Sequence, residues 1–188
     1  MCVKREMFEP VLANIGVPMI FLTLPPMVVL LVPVIFLEIL ASRKLIKNEE
    51  RKNVWRDIVN ANVYSTLIGW PVAWVIMVLV QLFSGGGGMY GLDSPMGVFL
   101  SVTLQAPWLI PYSTELYWMI PVAMGVLLVP FFFVSVFVEW AYLRKIWIKE
   151  EKKDIIRFSW KSHVYSYAFL ILVVIAYGAY SINRAEAG

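Results

Sequence analysis

Four polar residues recur as two pairs in this largely apolar chain, and they are the first candidates for chemistry. Glu38 and Asn62 flank one short basic segment, and Glu139 and His163 flank a second one 101 residues further along. Carboxylates and imidazoles can carry protons, bind ions or, for histidine, ligate haem. Ionisable groups inside a membrane often mark a functional site. These four residues are therefore the candidate site.

An internal repeat explains the pairing. Ten of 29 positions are identical when residues 38–66 are aligned with 139–167. If each copy is a pair of antiparallel helices folded about residues 50 and 151, Glu38 lies level with Asn62 and Glu139 level with His163, because the rise per residue is the same. We expect Ser65 and Tyr64, and their counterparts in the second copy, to extend each pair into a small hydrogen-bond network. Those counterparts are Ser166 and Tyr165.

Several interpretations of these pairs stay open. In the one we favour, each Glu closes its own hairpin and reaches the membrane interface together with an Arg five residues later. In the second, the pairs belong to a proton or ion pathway, although residues 71–82 and 169–179 carry no charge. In the third, His163 ligates haem or chlorophyll.

The sequence contains no motif for catalysis. It has no His, Cys and carboxylate cluster with metal-ligand spacing, no phosphate-binding loop and no nucleophile elbow. The single cysteine, Cys2, excludes an internal disulfide. We therefore predict a non-enzymatic protein without a metal site. A bound lipid, or haem or chlorophyll at His163, is the cofactor left open.

Composition identifies the class of protein. Hydrophobic residues make up 60% of the chain and charged residues 15%, and the mean hydropathy is +0.73. A soluble domain of this size could not bury so much apolar surface. Four apolar runs, at about 17–41, 58–83, 117–141 and 160–181, are long enough to cross a bilayer. We predict an all-α integral membrane protein with four transmembrane helices.

Charge predicts the topology. Thirteen of the 16 basic residues lie in segments 43–57 and 144–161, and residues 84–116 contain none. By the positive-inside rule both segments are cytoplasmic, and the two termini lie outside. The membrane would be a bacterial plasma membrane or a thylakoid. The net charge of +3 requires no nucleic-acid partner. The basic residues that the two copies share are Arg43, Lys44, Arg56, Arg144, Lys145 and Arg157.

The chain divides as a single membrane domain, 1–188. We predict an outer tail (1–16), a first hairpin repeat (17–83), an outer glycine-rich loop with an interfacial segment (84–116), a second hairpin repeat (117–181) and an outer tail (182–188). The two hairpins are parallel repeats. Residues 97–107 should form a short interfacial or re-entrant helix that ends at Pro107. Adjacent Pro25 and Pro26 should kink the first span, with a short outer segment up to about residue 24 and a continuous helix from about residue 27.

One stretch resembles a known family. Asn62-Val63-Tyr64-Ser65-Thr66-Leu67-Ile68-Gly69-Trp70, preceded by Glu38 and a basic hairpin, is similar to the first hairpin of the FraC family of cyanobacterial filament-integrity proteins. These are small multispan components of septal cell–cell junctions. The resemblance covers residues 38–70 and implies a non-enzymatic junction or scaffold component.

These observations predict an accessory or scaffold subunit that packs against other integral membrane proteins. A small channel or transporter using Glu38 and Glu139 is the alternative, and it would need a homo-oligomer because two hairpins enclose little volume. A haem- or pigment-binding subunit with His163 as ligand is a lesser alternative.

Overall fold

The computed structural model describes residues 17–46, 51–85, 90–109 and 115–187. The predicted outer tail 1–16 and the glycine run 86–88 lie outside these ranges. The described chain is mainly helical. Its elements are β1 (Val17–Pro18), α1 (Met19–Leu45), α2 (Arg51–Tyr64), a π-helical turn (Ser65–Gly69), α3 (Trp70–Gly85), α4 (Pro95–Thr103), β2 (Trp108–Leu109), α5 (Leu116–Ile146) and α6 (Lys152–Glu186).

Four stretches of helix are long and apolar enough to cross a membrane. They are Met19–Leu45, Asn53–Gly85, Leu116–Ile146 and Lys152–Glu186. The second joins α2, the π turn and α3 into one continuous span. The prediction of four apolar membrane-spanning helices is confirmed. The sidedness of the loops and the assignment of the hairpins as parallel repeats stay predictions.

The four spans form a bundle in which each contacts its neighbours. Helix α1 packs against α2 and α6, while α5 packs against α2, the π turn, α3 and α6. Two apolar clusters lie along the bundle. One includes Ile58, Leu143 and Phe158, near the end that carries the basic residues, which we call the basic end. The other includes Ala123 and Leu127, toward the opposite end. The candidate polar residues lie between these clusters.

The first span is a single helix, so the short segment predicted up to residue 24 is part of α1, and the kink stays a prediction. Helix α1 runs without interruption through Pro25, Pro26 and Pro33. Each proline lacks an N–H group, so one carbonyl oxygen in the preceding turn loses its usual hydrogen bond. An unpaired carbonyl is tolerated more readily than an unpaired N–H group. Membrane helices accommodate proline because the alternative, irregular backbone facing lipid, is worse.

A short helix is present near the predicted residues 97–107 but with shifted bounds, and its interfacial position stays a prediction. Helix α4 begins at Pro95, where Ser94 caps it by accepting a hydrogen bond from the Gly97 amide at 3.1 Å, and it ends at Thr103, before Pro107. The following turn leads into β2, which pairs antiparallel with β1. The Met19 amide also donates to the Pro107 carbonyl at 3.0 Å. The segment that contains α4 and β2 therefore anchors the start of α1, a contact that the sequence did not predict.

Candidate functional site

Glu38 and Glu139 are buried in the middle of the bundle, with 0% and 1% of their surface exposed. Each lies on the first helix of its half, seven residues before the last residue of that helix. Asn62, on α2, donates a hydrogen bond from Nδ2 to Glu38 Oε2 at 2.7 Å. The structure therefore brings Glu38 and Asn62 together at one depth, as the repeat predicts.

His163 lies between the two carboxylates. Its Nε2 atom is 3.6 Å from Glu139 Oε1, and its Nδ1 atom is 3.8 Å from Glu38 Oε1. The ring is 2% exposed. Glu139 and His163 thus approach each other as the repeat predicts, but His163 also approaches the carboxylate of the other half. The two pairs form a single centre.

The serines of the predicted network bond across the halves. Ser65 Oγ donates to Glu139 Oε1 at 2.9 Å, and Ser166 Oγ donates to Glu38 Oε1 at 3.1 Å. The expectation that each serine extends its own pair is wrong. A residue three positions after Asn62 lies one turn along and slightly around the helix. That rotation turns Ser65 toward α5, because α2 and the π turn pack against α5 as well as α1.

The tyrosines do not join this centre. Tyr64 and Tyr165 are 48% and 57% exposed, on the outer surface of the bundle. Tyr64 instead lies against Tyr142, with ring centroids 5.1 Å apart. The adjacent positions in sequence, Tyr64 and Ser65, therefore face opposite ways, which corrects the expectation that both extend the polar pair.

The hydrogen bonding of His163 identifies its free nitrogen. Nδ1 lies 2.8 Å from the carbonyl oxygen of Ser159. A carbonyl can only accept, so Nδ1 carries the proton of this hydrogen bond, and in the neutral ring Nε2 presents a lone pair. A backbone carbonyl that orients one ring nitrogen in this way is typical of histidines that ligate metals through the other. Nε2 points toward the Glu139 carboxylate.

The centre contains an unmatched acceptor. Glu139 Oε2 is buried and has no hydrogen-bond partner among the described residues. Glu139 Oε1 and His163 Nε2, both able to accept, face each other at 3.6 Å. A buried carboxylate is costly without a compensating partner. A cation bound between these groups would satisfy the orphaned oxygen and the facing lone pairs together.

Three side chains are close enough to share one ion. One ligand atom each from Glu38, Glu139 and His163 lies within 4.8 Å of the other two. Ligand atoms at typical metal distances lie at most about 4.4 Å apart across an ion, so small side-chain rotations would complete the site. The sequence did not predict this group, because its members come from three different helices and no local spacing links them.

A cavity of about 60 Å³ adjoins the centre. Its polar wall includes Glu38, Glu139 and His163, and its other walls include the apolar side chains of Leu30 and Phe131. This volume accommodates an ion with a few waters. It is well below the roughly 300 Å³ at which small-molecule sites begin.

A π-helical turn shapes one side of the centre. Ser65–Gly69 is π-helical, while the equivalent residues 166–170 continue α6 as an ordinary α-helix. Such turns are frequent at functional sites, because one extra residue in the turn redirects the side chains beside it. The turn begins at the serine that binds Glu139. The sequence contained no signal for it.

The shared basic residues lie apart from this centre. Arg56 and Arg157 have side chains that are 69% and 60% exposed, and they approach acidic neighbours on their own helices, Asp57 and Asp154. The Arg144 guanidinium lies 4.8 Å from the Trp140 ring centroid. The remaining three, Arg43, Lys44 and Lys145, are exposed near the helix ends. Their positions at one end of the bundle fit a charged collar around a membrane protein.

No protein-family model, curated protein or solved structure matches this chain. The geometry of the centre formed by Glu38, Glu139 and His163 is therefore the basis for proposing a function.

Proposed function

We propose that this chain is an integral membrane protein that binds a divalent transition-metal ion between its two halves. The ligands are the carboxylates of Glu38 and Glu139 and the Nε2 atom of His163. One observation carries the proposal: His163, oriented by the Ser159 carbonyl, presents its lone-pair nitrogen to two buried carboxylates. One of those carboxylates retains an oxygen without a partner among the described residues.

The donor set favours a particular class of ion. Imidazole nitrogen suits zinc, iron and neighbouring first-row ions, and carboxylate oxygen completes a mixed site for them. Calcium prefers six to eight oxygen ligands, and magnesium keeps several waters. Asn62, Ser65 and Ser166 each donate to a carboxylate oxygen, and so hold the ligands in position around the ion.

We assign the ion a structural role and not a catalytic one. Glu38 comes from the first half of the chain, and Glu139 and His163 come from the second, so one ion would connect the two halves. The adjoining cavity is too small for an organic substrate. The ion would therefore stabilise one arrangement of the four helices, and a metal-dependent bundle of this kind suits an accessory or scaffold subunit.

The exposed apolar surface favours the scaffold role as a second component of the proposal. Phe21, Val32 and Phe83 are 72%, 72% and 89% exposed. Lipid or another membrane protein can cover such residues. Purification in mild detergent from the native membrane tests the role: a stable hetero-complex supports it, and a protein recovered only as a homo-oligomer contradicts it. The septal-junction role implied by the resemblance to the FraC family belongs to this second component.

Transport and pigment binding receive less support from the geometry. Away from the polar centre, most of the side chains that line the cavity are apolar, and the hydroxyl groups of Ser135 and Tyr167 hydrogen-bond to each other at 3.2 Å. His163 directs Nε2 at a carboxylate, and the space beside it is far too small for a macrocycle. We accordingly rank both below metal binding.

Metal analysis of the purified protein tests the proposal. A chelator would first remove bound metal from the protein, which would then be reloaded with Zn²⁺ or Mn²⁺. Inductively coupled plasma mass spectrometry would measure its metal content. We expect one ion per chain and a higher thermal unfolding midpoint when the ion is bound. Glu139→Gln should lose the ion, and Glu186→Gln, the same chemical change at an exposed residue near the C-terminus, should retain it.

Two results would overturn the proposal. One is a folded wild-type protein that binds no ion after reloading; the facing nitrogen and oxygen would then share a proton. The other is equal metal content in wild type and Glu139→Gln. Circular dichroism and gel filtration of the same samples show whether a loss of metal reflects a loss of fold.

A further inference from the structure

A groove on the lipid-facing surface separates α1 from α6 near the basic end of the bundle. Its volume is about 650 Å³. Leu37 and Leu40 line it from α1, and Phe169 and Leu172 line it from α6. It lies on the outside of the bundle and shares none of its lining with the metal ligands. The groove is therefore a separate feature.

Two lysines lie at the same level beside this groove. Helices α1 and α6 run antiparallel, and the hydrogen bond from Ser166 to Glu38 fixes their register. Lys44 is six residues from Glu38 toward the basic end, about 9 Å at the helical rise, and Lys161 is five residues from Ser166, about 7.5 Å. Both lysines line the groove, one from each helix. The apolar groove therefore ends at a pair of cations.

The repeat supplies a natural comparison for this groove. The equivalent residues on α5 and α2 are Lys145 and Asn60, so the second cation is missing there. Ala41, which lines the groove, is replaced by Tyr142 at the equivalent position. The Tyr142 ring packs against Tyr64 at a centroid distance of 5.1 Å and occupies the corresponding surface. Of these two related surfaces, only the α1–α6 groove has both open space and two cations.

We propose that this groove binds an anionic glycerophospholipid. The phosphate would lie between Lys44 and Lys161, where each ammonium supplies charge and hydrogen bonds. One acyl chain would run along Leu37, Leu40 and the facing side chains of α6 away from the basic end. The ligand needs a negative head at the interface and an apolar tail in the membrane, and a phospholipid has both in this order.

Native mass spectrometry of the detergent-solubilised protein tests this site. Phosphatidylglycerol and phosphatidylcholine of the same chain length would be titrated separately. Because each lysine near the headgroup favours the anion, we expect roughly tenfold or greater preference for phosphatidylglycerol. The double variant Lys44→Gln/Lys161→Gln should remove the preference. Lys145→Gln, the repeat-related lysine outside the groove, should keep it.

A second variant separates the shape of the groove from its charge. Ala41→Tyr keeps both lysines and fills the groove as Tyr142 does in the other half, so we expect lower binding of both lipids. Circular dichroism controls for folding. An unchanged lipid preference in the double lysine variant would overturn the proposal, as would unchanged lipid binding in folded Ala41→Tyr. Competition by inorganic phosphate at concentrations matching the lipid would overturn it in favour of a soluble anion.

Discussion

The two halves of this protein pair a buried glutamate with a polar residue, but with opposite chemical results. In the first half, the Asn62 amide donates to Glu38 and completes the pair. In the second, the His163 ring uses its N–H group on the Ser159 carbonyl and turns a lone pair toward Glu139. An amide donor satisfies a carboxylate by itself, whereas a lone pair facing a carboxylate needs a cation or a proton between them. The difference between Asn62 and His163 therefore distinguishes a pair that is satisfied by its own hydrogen bond from a pair that can bind a cation.

The two surfaces at which the halves meet, α1 with α6 and α5 with α2, also differ. The α1–α6 groove is open at Ala41 and carries two cations, Lys44 and Lys161. On the equivalent α5–α2 surface, Tyr142 fills the space, and Asn60 stands where the second cation would be. Each difference is a change of size or charge at a position that the repeat makes equivalent. Substitutions that exchange these residues between the halves test the proposals directly.

The largest effect should come from His163→Asn, which gives the second half the residue of the first. Loss of a ligand should weaken metal binding by more than about 100-fold, because even residues that only orient ligands contribute about 10–100-fold. The new amide can donate to Glu139, so the metal-free protein should unfold at the same temperature or higher. A competition titration with a chromophoric chelator and a thermal melt measure the two quantities. Unchanged affinity would remove His163 from the ligand set.

A smaller difference should separate the two serines. Ser65→Ala removes the hydroxyl group that donates to Glu139, whereas Ser166→Ala leaves Glu38 with the hydrogen bond from Asn62. We expect the metal-free protein to lose about 1.5 kcal/mol of unfolding free energy in the first case and about 0.6 kcal/mol in the second. Reversible unfolding in mixed micelles measures both. Equal losses would show that the halves are energetically equivalent at this centre.

A smaller effect again is expected from building a second groove. Asn60→Lys/Tyr142→Ala reproduces on α5 and α2 the charge and space found between α1 and α6. Native mass spectra should then show a second bound phosphatidylglycerol, with an affinity within about tenfold of the first. Tyr142→Ala alone serves as the control that has the space without the second cation. A double variant that still binds one lipid would show that the α1–α6 groove depends on features beyond these two positions.

The sequence predicted the features that depend on distance along the helices. Four apolar runs gave the four spans, because a helix must be about 20 residues long to cross the hydrocarbon. The repeat placed Glu38 level with Asn62, because two antiparallel helices rise at the same rate. Neither inference requires knowledge of which helices are neighbours. Both describe one hairpin at a time.

The remaining features depend on the arrangement of helices around the bundle. The contact of Ser166 with Glu38 links residues 128 positions apart, and no local pattern reports it. The same holds for the metal ligands, which meet only when three helices converge. The π turn and the two-residue strands were also missed, since propensity and periodicity do not resolve elements so short. The continuous α1 shows that the paired prolines do not end the helix at this position.

The last comparison concerns the turn that distinguishes the second span from the fourth. Gly69 closes the π turn, and its repeat equivalent is Leu170. A Cβ atom at Gly69 would lie 3.4 Å from Val134 Cγ1 and 3.8 Å from Ser135 Oγ on α5, which are ordinary contacts. Alanine also favours helix over glycine by about 1 kcal/mol, so Gly69→Ala should leave the unfolding free energy unchanged or raise it by up to about 1 kcal/mol.

Gly69→Leu, which copies the residue of the second half, should behave differently. The longer side chain must displace Val134, and overpacking of this kind costs about 1–3 kcal/mol. The pair of variants, measured by the same unfolding assay, separates two explanations of the π turn. If Gly69→Ala does not lower the unfolding free energy and Gly69→Leu does, the turn tolerates a side chain, and the close approach of α5 limits the size of that side chain. If alanine already costs more than about 2 kcal/mol, the π turn itself requires glycine, and its backbone, rather than helix packing, positions Ser65 against Glu139.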